Sequence, residues 1–337
     1  MTSRSKARIV VVLMVLALAA VTLSRPALAQ VSAQDHGEMA RGTSLSGLEI
    51  SAALAHGAAQ GAAVFLAGLA AFVPLVVLPV LRDRIGEAGK AAEAYRWPVW
   101  VLAGLLVAAG AVEVPVFAMR ATGESLSLGL LAEALFDTRV GNLWMARVGL
   151  GLLAAALLAH ASRRGSPGAR WGALVVASAM LLTFSLQSHA AAEARLLPLA
   201  ADWLHVAAAS VWVGGLLGFP VLLLGPLRGA AAEVRVELTG RTVRQFSKVA
   251  SVAVLAILLT GTYAALLHLP DLSTLISSPY GRALIMKLGM VAFMFPIAAI
   301  NLMDRGEGPF GRMVGAELFL SFAVFVATGF LTTIPPP

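Results

Sequence analysis

The segment DWLHVAAASVWVGGL, residues 202 to 216, places Asp202 and His205 three residues apart at the start of an apolar run. On a helix that spacing puts both side chains on one face. Imidazole and carboxylate together can coordinate a copper ion, as Cu(I) or Cu(II), with thioethers preferred for the softer Cu(I). His189 lies at the other end of the short loop SHAAAEARLLPLAADWLH. Antiparallel helices joined this way are usually neighbours, so His189 and His205 are expected to meet, with His56 as the additional ligand. Two other roles stay open for Asp202. It could orient the His205 ring from behind, or it could cap the helix start and leave His205 as an interfacial polar residue.

Other side chains could line a path below that site. Trp212 falls two turns beyond His205 on the same face. Met286, Met290 and Met294 form an i, i+4, i+8 stripe, and Met145 sits at a nearby repeat position. Stripes of this kind usually fill cores. Ala208, Ser210, Gly214 and Gly215 keep one helix surface thin enough for a close neighbour. Charges inside apolar runs are rarer and more informative. Glu113 and Arg147 are expected to neutralise each other across adjacent helices, and Lys287 to snorkel outward.

These residues sit in a chain built for lipid. Of its 337 residues 59% are hydrophobic and 13% charged, with a mean hydropathy of +0.84. A soluble domain needs more polar surface than that, and the apolar runs are about 20 residues long, enough to cross roughly 30 Å of hydrocarbon. The expected fold is all-α, a polytopic membrane bundle of eight spans near 49–80, 97–119, 141–161, 171–190, 202–226, 247–268, 282–302 and 313–333. Before them, Arg4, Lys6 and Arg8 precede an apolar stretch ending in Ala27-Leu28-Ala29. This reads as a signal peptide over residues 1–29 cleaved after Ala29, followed by an outer tail over 30–48 and a transmembrane domain over 49–333.

Basic residues cluster in alternate connections, at Arg82 to Arg96, Arg163 to Arg170, Arg228 to Arg244 and Arg305 to Arg312. The positive-inside rule makes those cytoplasmic. Both mature termini are then periplasmic, in the inner membrane of a bacterium. Five of the six histidines, His36, His56, His189, His205 and His268, fall on the outer side, and His160 on the inner.

Two stretches align without gaps, GNLWMARVGL at 141–150 and GRALIMKLGM at 281–290, matching Arg147 to Lys287. A looser pair joins AGLAAFVPLVVLPVLR at 67–82 to GGLLGFPVLLLGPLR at 214–228. Four spans restore the original orientation, so a parallel four-plus-four duplication is expected, with halves near 49–190 and 202–333. The absence of cysteine removes disulfides, iron–sulfur clusters and thiolate metal sites. The net charge of +7 belongs to the inner loops rather than to nucleic acid. Neither a nucleotide-binding loop nor a nucleophile elbow is present, so an enzyme is not expected.

SHA at 188–190, DWLHVAAASVWVGGL at 202–216, RQFSKVASVAVLAILLTGTY at 244–263 and SPYGRALIMKLGMVAFMFPIAAIN at 278–301 together resemble the copper resistance protein D (CopD) family. The resemblance is closest over residues 180–330 and is one of architecture before that. It implies an inner-membrane protein that takes copper from the periplasm, commonly inward, beside a small periplasmic copper-binding protein of the CopC type. Residues 30–48 are too short to be such a domain, although His36 and Met39 there could meet copper. Two other classes compete on the residues alone. One is a b-type haem electron-transfer protein with His56 and His205 as axial ligands, and the other a non-transporting assembly factor for a copper enzyme. The lipid bilayer is the expected partner, and nucleic acid is not.

Overall fold

The computed structural model describes residues 47–188, 195–227 and 230–268, with isolated helical positions between 276 and 324. The leader expected over 1–29, most of the outer tail and the bulk of the last two spans lie outside the described residues. Among those described, every regular element is helical. Helix α1 runs Gly47–Phe72 and passes through a π turn, Val73–Val77, into Leu78–Val80. It is followed by α2 (Ile85–Ala94), α3 (Arg96–Thr122), α4 (Leu128–Phe136), α5 (Arg139–Arg164), α6 (Pro167–Ser185) and α7 (Leu196–Ala209). A second π turn, Ser210–Gly214, leads from α7 toward α8 (Gly218–Leu224), and α9 spans Ala232–His268.

Six helical stretches are long and apolar enough to cross a membrane: Ile50–Val80, Gly89–Thr122, Arg139–Arg164, Pro167–Ser185, Leu196–Leu223 and Ala232–Leu267. They coincide with the first six expected spans. The seventh and eighth, and with them the four-plus-four arrangement, fall largely outside the described residues.

Local chemistry accounts for most of the boundaries. Ser127, Thr138 and Ser166 each accept a bond from a backbone N–H of the turn they precede, starting α4, α5 and α6. Gly123 and Gly165 close α3 and α5 with positive φ, where a Cβ would be strained. Pro74 has no N–H and crowds the carbonyl one turn back, and the first span widens into its π turn there.

In a bilayer a freed carbonyl needs a partner within the protein. Gln245 of α9 donates through Nε2 to the Leu75 carbonyl inside the first π turn, at 3.0 Å. Tyr95 donates its hydroxyl to the Gly218 carbonyl, just past the second, at 2.8 Å. These two bonds fasten the broken stretches of the first and fifth spans to their neighbours.

The first span is the centre of the bundle. Its hydrophobic stretch is the most deeply packed of the six, and it touches α3, α6 and the second π turn. Against that turn the approach is backbone to backbone. A Cβ on Gly68 would run into Gly214 Cα and the Ser210 carbonyl, and one on Gly214 would stand 2.6 Å from the Val64 carbonyl. Only hydrogen fits, as in small-residue helix crossings in membranes. Farther along, Phe72 packs on Phe219 with ring centres 5.3 Å apart and on Phe246 at 5.8 Å. Phe72 and Phe219 are aligned positions in the looser of the two repeat pairs.

Helix α9, 37 residues long, extends about 55 Å at 1.5 Å per residue, well beyond one hydrocarbon core. Near its charged beginning Glu237 meets Arg84 at 3.2 Å, and Arg241 reaches Asp83 at 3.7 Å, while Leu238 and Thr242 beside them are buried. The pairs tie this end of the helix to the loop after the first span.

Candidate metal centre

Four helices bring a continuous polar network into the bundle. His56, two and a half turns into α1, directs Nδ1 at Glu113 Oε1 of α3, 2.8 Å away. The other carboxylate oxygen, Oε2, faces Arg147 Nη1 of α5 at 3.4 Å. Arg147 is wholly buried and Glu113 nearly so. The guanidinium then donates from Nε to Thr183 Oγ1 at 3.1 Å and from Nη2 to Gln187 Oε1 at 2.6 Å. Its remaining face lies over the Phe184 ring, 3.7 Å from the centre. The same ring meets the His56 imidazole edge-on at 5.8 Å.

Each member answers a need of the next. A buried guanidinium is costly unless paired and hydrogen-bonded, and Arg147 has a carboxylate, a hydroxyl, a side-chain amide and an aromatic face. The expected pairing of Glu113 with Arg147 is therefore present, with His56 as an unforeseen third member. The only signal for it in the sequence was position, since His56 and Glu113 both fall in the same half of consecutive spans.

His205 is held in a similar way on the fifth span. Its Nδ1 stands 3.0 Å from Thr260 Oγ1 of α9, and Gly261 leaves room beside the ring, since a Cβ there would lie 3.3 Å from His205 Cε1. Nothing in the sequence singles out Thr260 as a site residue except its place in the TG pair at 260–261, inside the stretch that carries the family resemblance.

Asp202 does not cap the fifth span. That helix starts six residues earlier, at Leu196 after Arg195, with Pro198 in its first turn. Asp202 accepts instead from Ser188 Oγ at 3.2 Å. The acid thus ties α7 to the residue next to His189, which itself lies outside the described residues. Trp203 adds a second tie through Nε1 to the Ser178 carbonyl at 2.9 Å.

The remaining candidates are scattered. Trp212 is buried within the second π turn, Met145 is half-buried on α5, and Met286 is exposed. Met290 and Lys287 lie outside the described residues. Among the described residues no three of His, Asp and Glu gather as a ready metal cage.

Such a bundle, with charged and histidine side chains paired inside its spans, defines a polytopic helical membrane protein. Residues 47–197 match the copper resistance protein D-like N-terminal domain, and residues 240–331 match copper resistance protein D. The chain belongs to the copper resistance protein D family. It is 31% identical over 222 residues to the copper transport protein CutJ of Bacillus subtilis (strain 168), an alignment covering 64% of this chain and 40% of that protein. It is 27% identical over 205 residues to copper resistance protein D of Pseudomonas syringae pv. tomato, covering 59% of this chain and 65% of the relative. The matched part is therefore less than two thirds of either relative. No solved structure matches the chain.

Proposed function

We propose that the protein takes copper ions from the periplasmic side of the inner membrane and moves them inward or hands them to partners, with copper as cargo. The observation that carries this reading is His56, held through Nδ1 by a carboxylate that is itself clamped by a buried arginine. A carboxylate behind an imidazole is how metal-binding histidines are commonly oriented, and ionisable groups within spans commonly mark ion paths. His205 is the second ligand, with His189 and Asp202 completing the outer site. Trp212, Met145, Met286, Met290 and Lys287 are the residues to examine along the path below. A periplasmic CopC-type protein is the natural donor, and the basic loops set the orientation with both mature termini outside. The names of the two relatives support copper as the cargo.

The test is copper uptake into proteoliposomes holding purified protein. Wild type should accumulate copper, and His56→Ala and His205→Ala should lose most of that uptake while remaining inserted. Binding without uptake would favour the assembly-factor role. A Soret band in the purified protein would favour haem iron over copper as what the histidines hold.

A further inference from the structure

Both histidines are held through the same ring nitrogen, and the bonding of each partner decides where the ring proton sits. Thr260 Oγ1 lies 2.6 Å from the Ala256 carbonyl and 3.3 Å from the Ile257 carbonyl. A hydroxyl has one proton to donate, and the Ala256 carbonyl at 2.6 Å is a nearer acceptor than His205 Nδ1 at 3.0 Å, so that proton goes to the backbone. Toward His205 Nδ1, 3.0 Å away, the hydroxyl oxygen is left as an acceptor. His205 Nδ1 must then be the donor. Glu113, a carboxylate facing the Arg147 guanidinium, is acceptor-only as well. His56 Nδ1, 2.8 Å from it, is the donor for the same reason. A neutral imidazole with its proton on Nδ1 has its lone pair on Nε2.

We infer that Glu113 and Thr260 are positioning residues that hold His56 and His205 in the same Nδ1-protonated tautomer, so that Nε2 is the atom each ring offers to copper. The second half of that statement rests on the copper reading above, and the first half does not. The device occurs twice. His56 and Glu113 are 57 residues apart, on the first and second spans, and His205 and Thr260 are 55 apart, on the fifth and sixth. A duplicated bundle would place such pairs in matching positions.

Nitrogen NMR tests this on full-length protein labelled with 15N-histidine, purified without copper. The pH is set about two units above the ordinary imidazole value of about 6.5. Resonances are assigned by their loss in His56→Gln and His205→Gln. Wild type should show protonated Nδ1 and bare Nε2 for both rings. Thr260→Val, nearly the same shape without the oxygen, should turn His205 into a mixture of tautomers, and Thr260→Ser should restore the single form. Copper titration of the same samples should show about a tenfold or greater loss of affinity in Thr260→Val, the usual range for an outer partner being 10–100-fold, and recovery in Thr260→Ser. A proton on Nε2 of either wild-type ring, or Thr260→Val spectra identical to wild type, overturns the tautomer assignment. Tautomers as stated in a protein that binds no copper would uphold the positioning role and overturn the copper reading instead.

Discussion

Arg147 places Nη1 3.4 Å from Glu113 Oε2, and none of its side chain is accessible. Two charges stripped of water stay inside a bundle only as a pair, because either alone would be an uncompensated charge. Since His56 hangs on the same carboxylate, the pair fixes the geometry of a candidate ligand while neutralising itself.

Removing one partner should therefore hurt more than removing both. Glu113→Leu is expected to destabilise the protein by about 3–5 kcal/mol by stranding Arg147, and Glu113→Leu with Arg147→Met to recover most of that loss. Thermal unfolding in detergent measures both. A double variant no more stable than Glu113→Leu would show that the two charges are not coupled.

The Gly68–Gly214 crossing has no room for a methyl group. Gly68→Ala should cost about 1–3 kcal/mol or more through forced separation of the backbones. Gly104→Ala, on the second span with nothing within 4 Å, should be neutral or slightly stabilising, because alanine favours helix. Equal melting temperatures for the two variants would mean that the first and fifth spans do not meet there.

Copper binding should separate the histidines by position. His56→Ala and His205→Ala should each lower copper affinity by tenfold or more in a competition titration with a chelator. His160→Ala, exposed near the basic end of α5, should leave it unchanged. An unaltered affinity in His56→Ala would remove the first span from the site.

The ion pairs near the start of α9 are open to solvent on their acidic side, and such surface pairs contribute about 0–1 kcal/mol. Arg241→Ala is thus expected to shift stability by less than 1 kcal/mol, and less still at high salt. A larger loss would mean that this end is packed more tightly than its exposure indicates.

Orientation is open to reporter fusions. Activity of a periplasmic reporter is expected after Gly123, in the turn after α3, and of a cytoplasmic one after Gly165, in the turn after α5. The reverse pattern would invert the bundle and put His56 and His205 on the cytoplasmic side.

What the sequence alone determined is the class of protein and the course of its first six spans. Runs of about 20 apolar residues have one stable solution in lipid, a helix that satisfies its own backbone. Caps at Ser127, Thr138 and Ser166, and glycines at 123 and 165, then mark the turns locally. The Glu113–Arg147 pair was also foreseeable, because a buried charge demands a counter-charge and these two lay at similar depth on adjacent spans.

Partner choice across helices was decided only by the tertiary structure. Which face of α1 meets α3 depends on helix rotation, and nothing local to His56 encodes it, so its bond to Glu113 could not be read. Thr260 looked like one hydroxyl among several until the fold set it against His205. Asp202 looked like a cap because the apolar run seemed to start there, yet Leu196, Leu197 and Pro198 extend the helix upstream and leave the acid free to hold Ser188. Periodicity fixes where a chain crosses the membrane, whereas the meeting of side chains depends on the rotation and register of rigid helices, which backbone contacts such as Gly68 against Gly214 set from far along the chain.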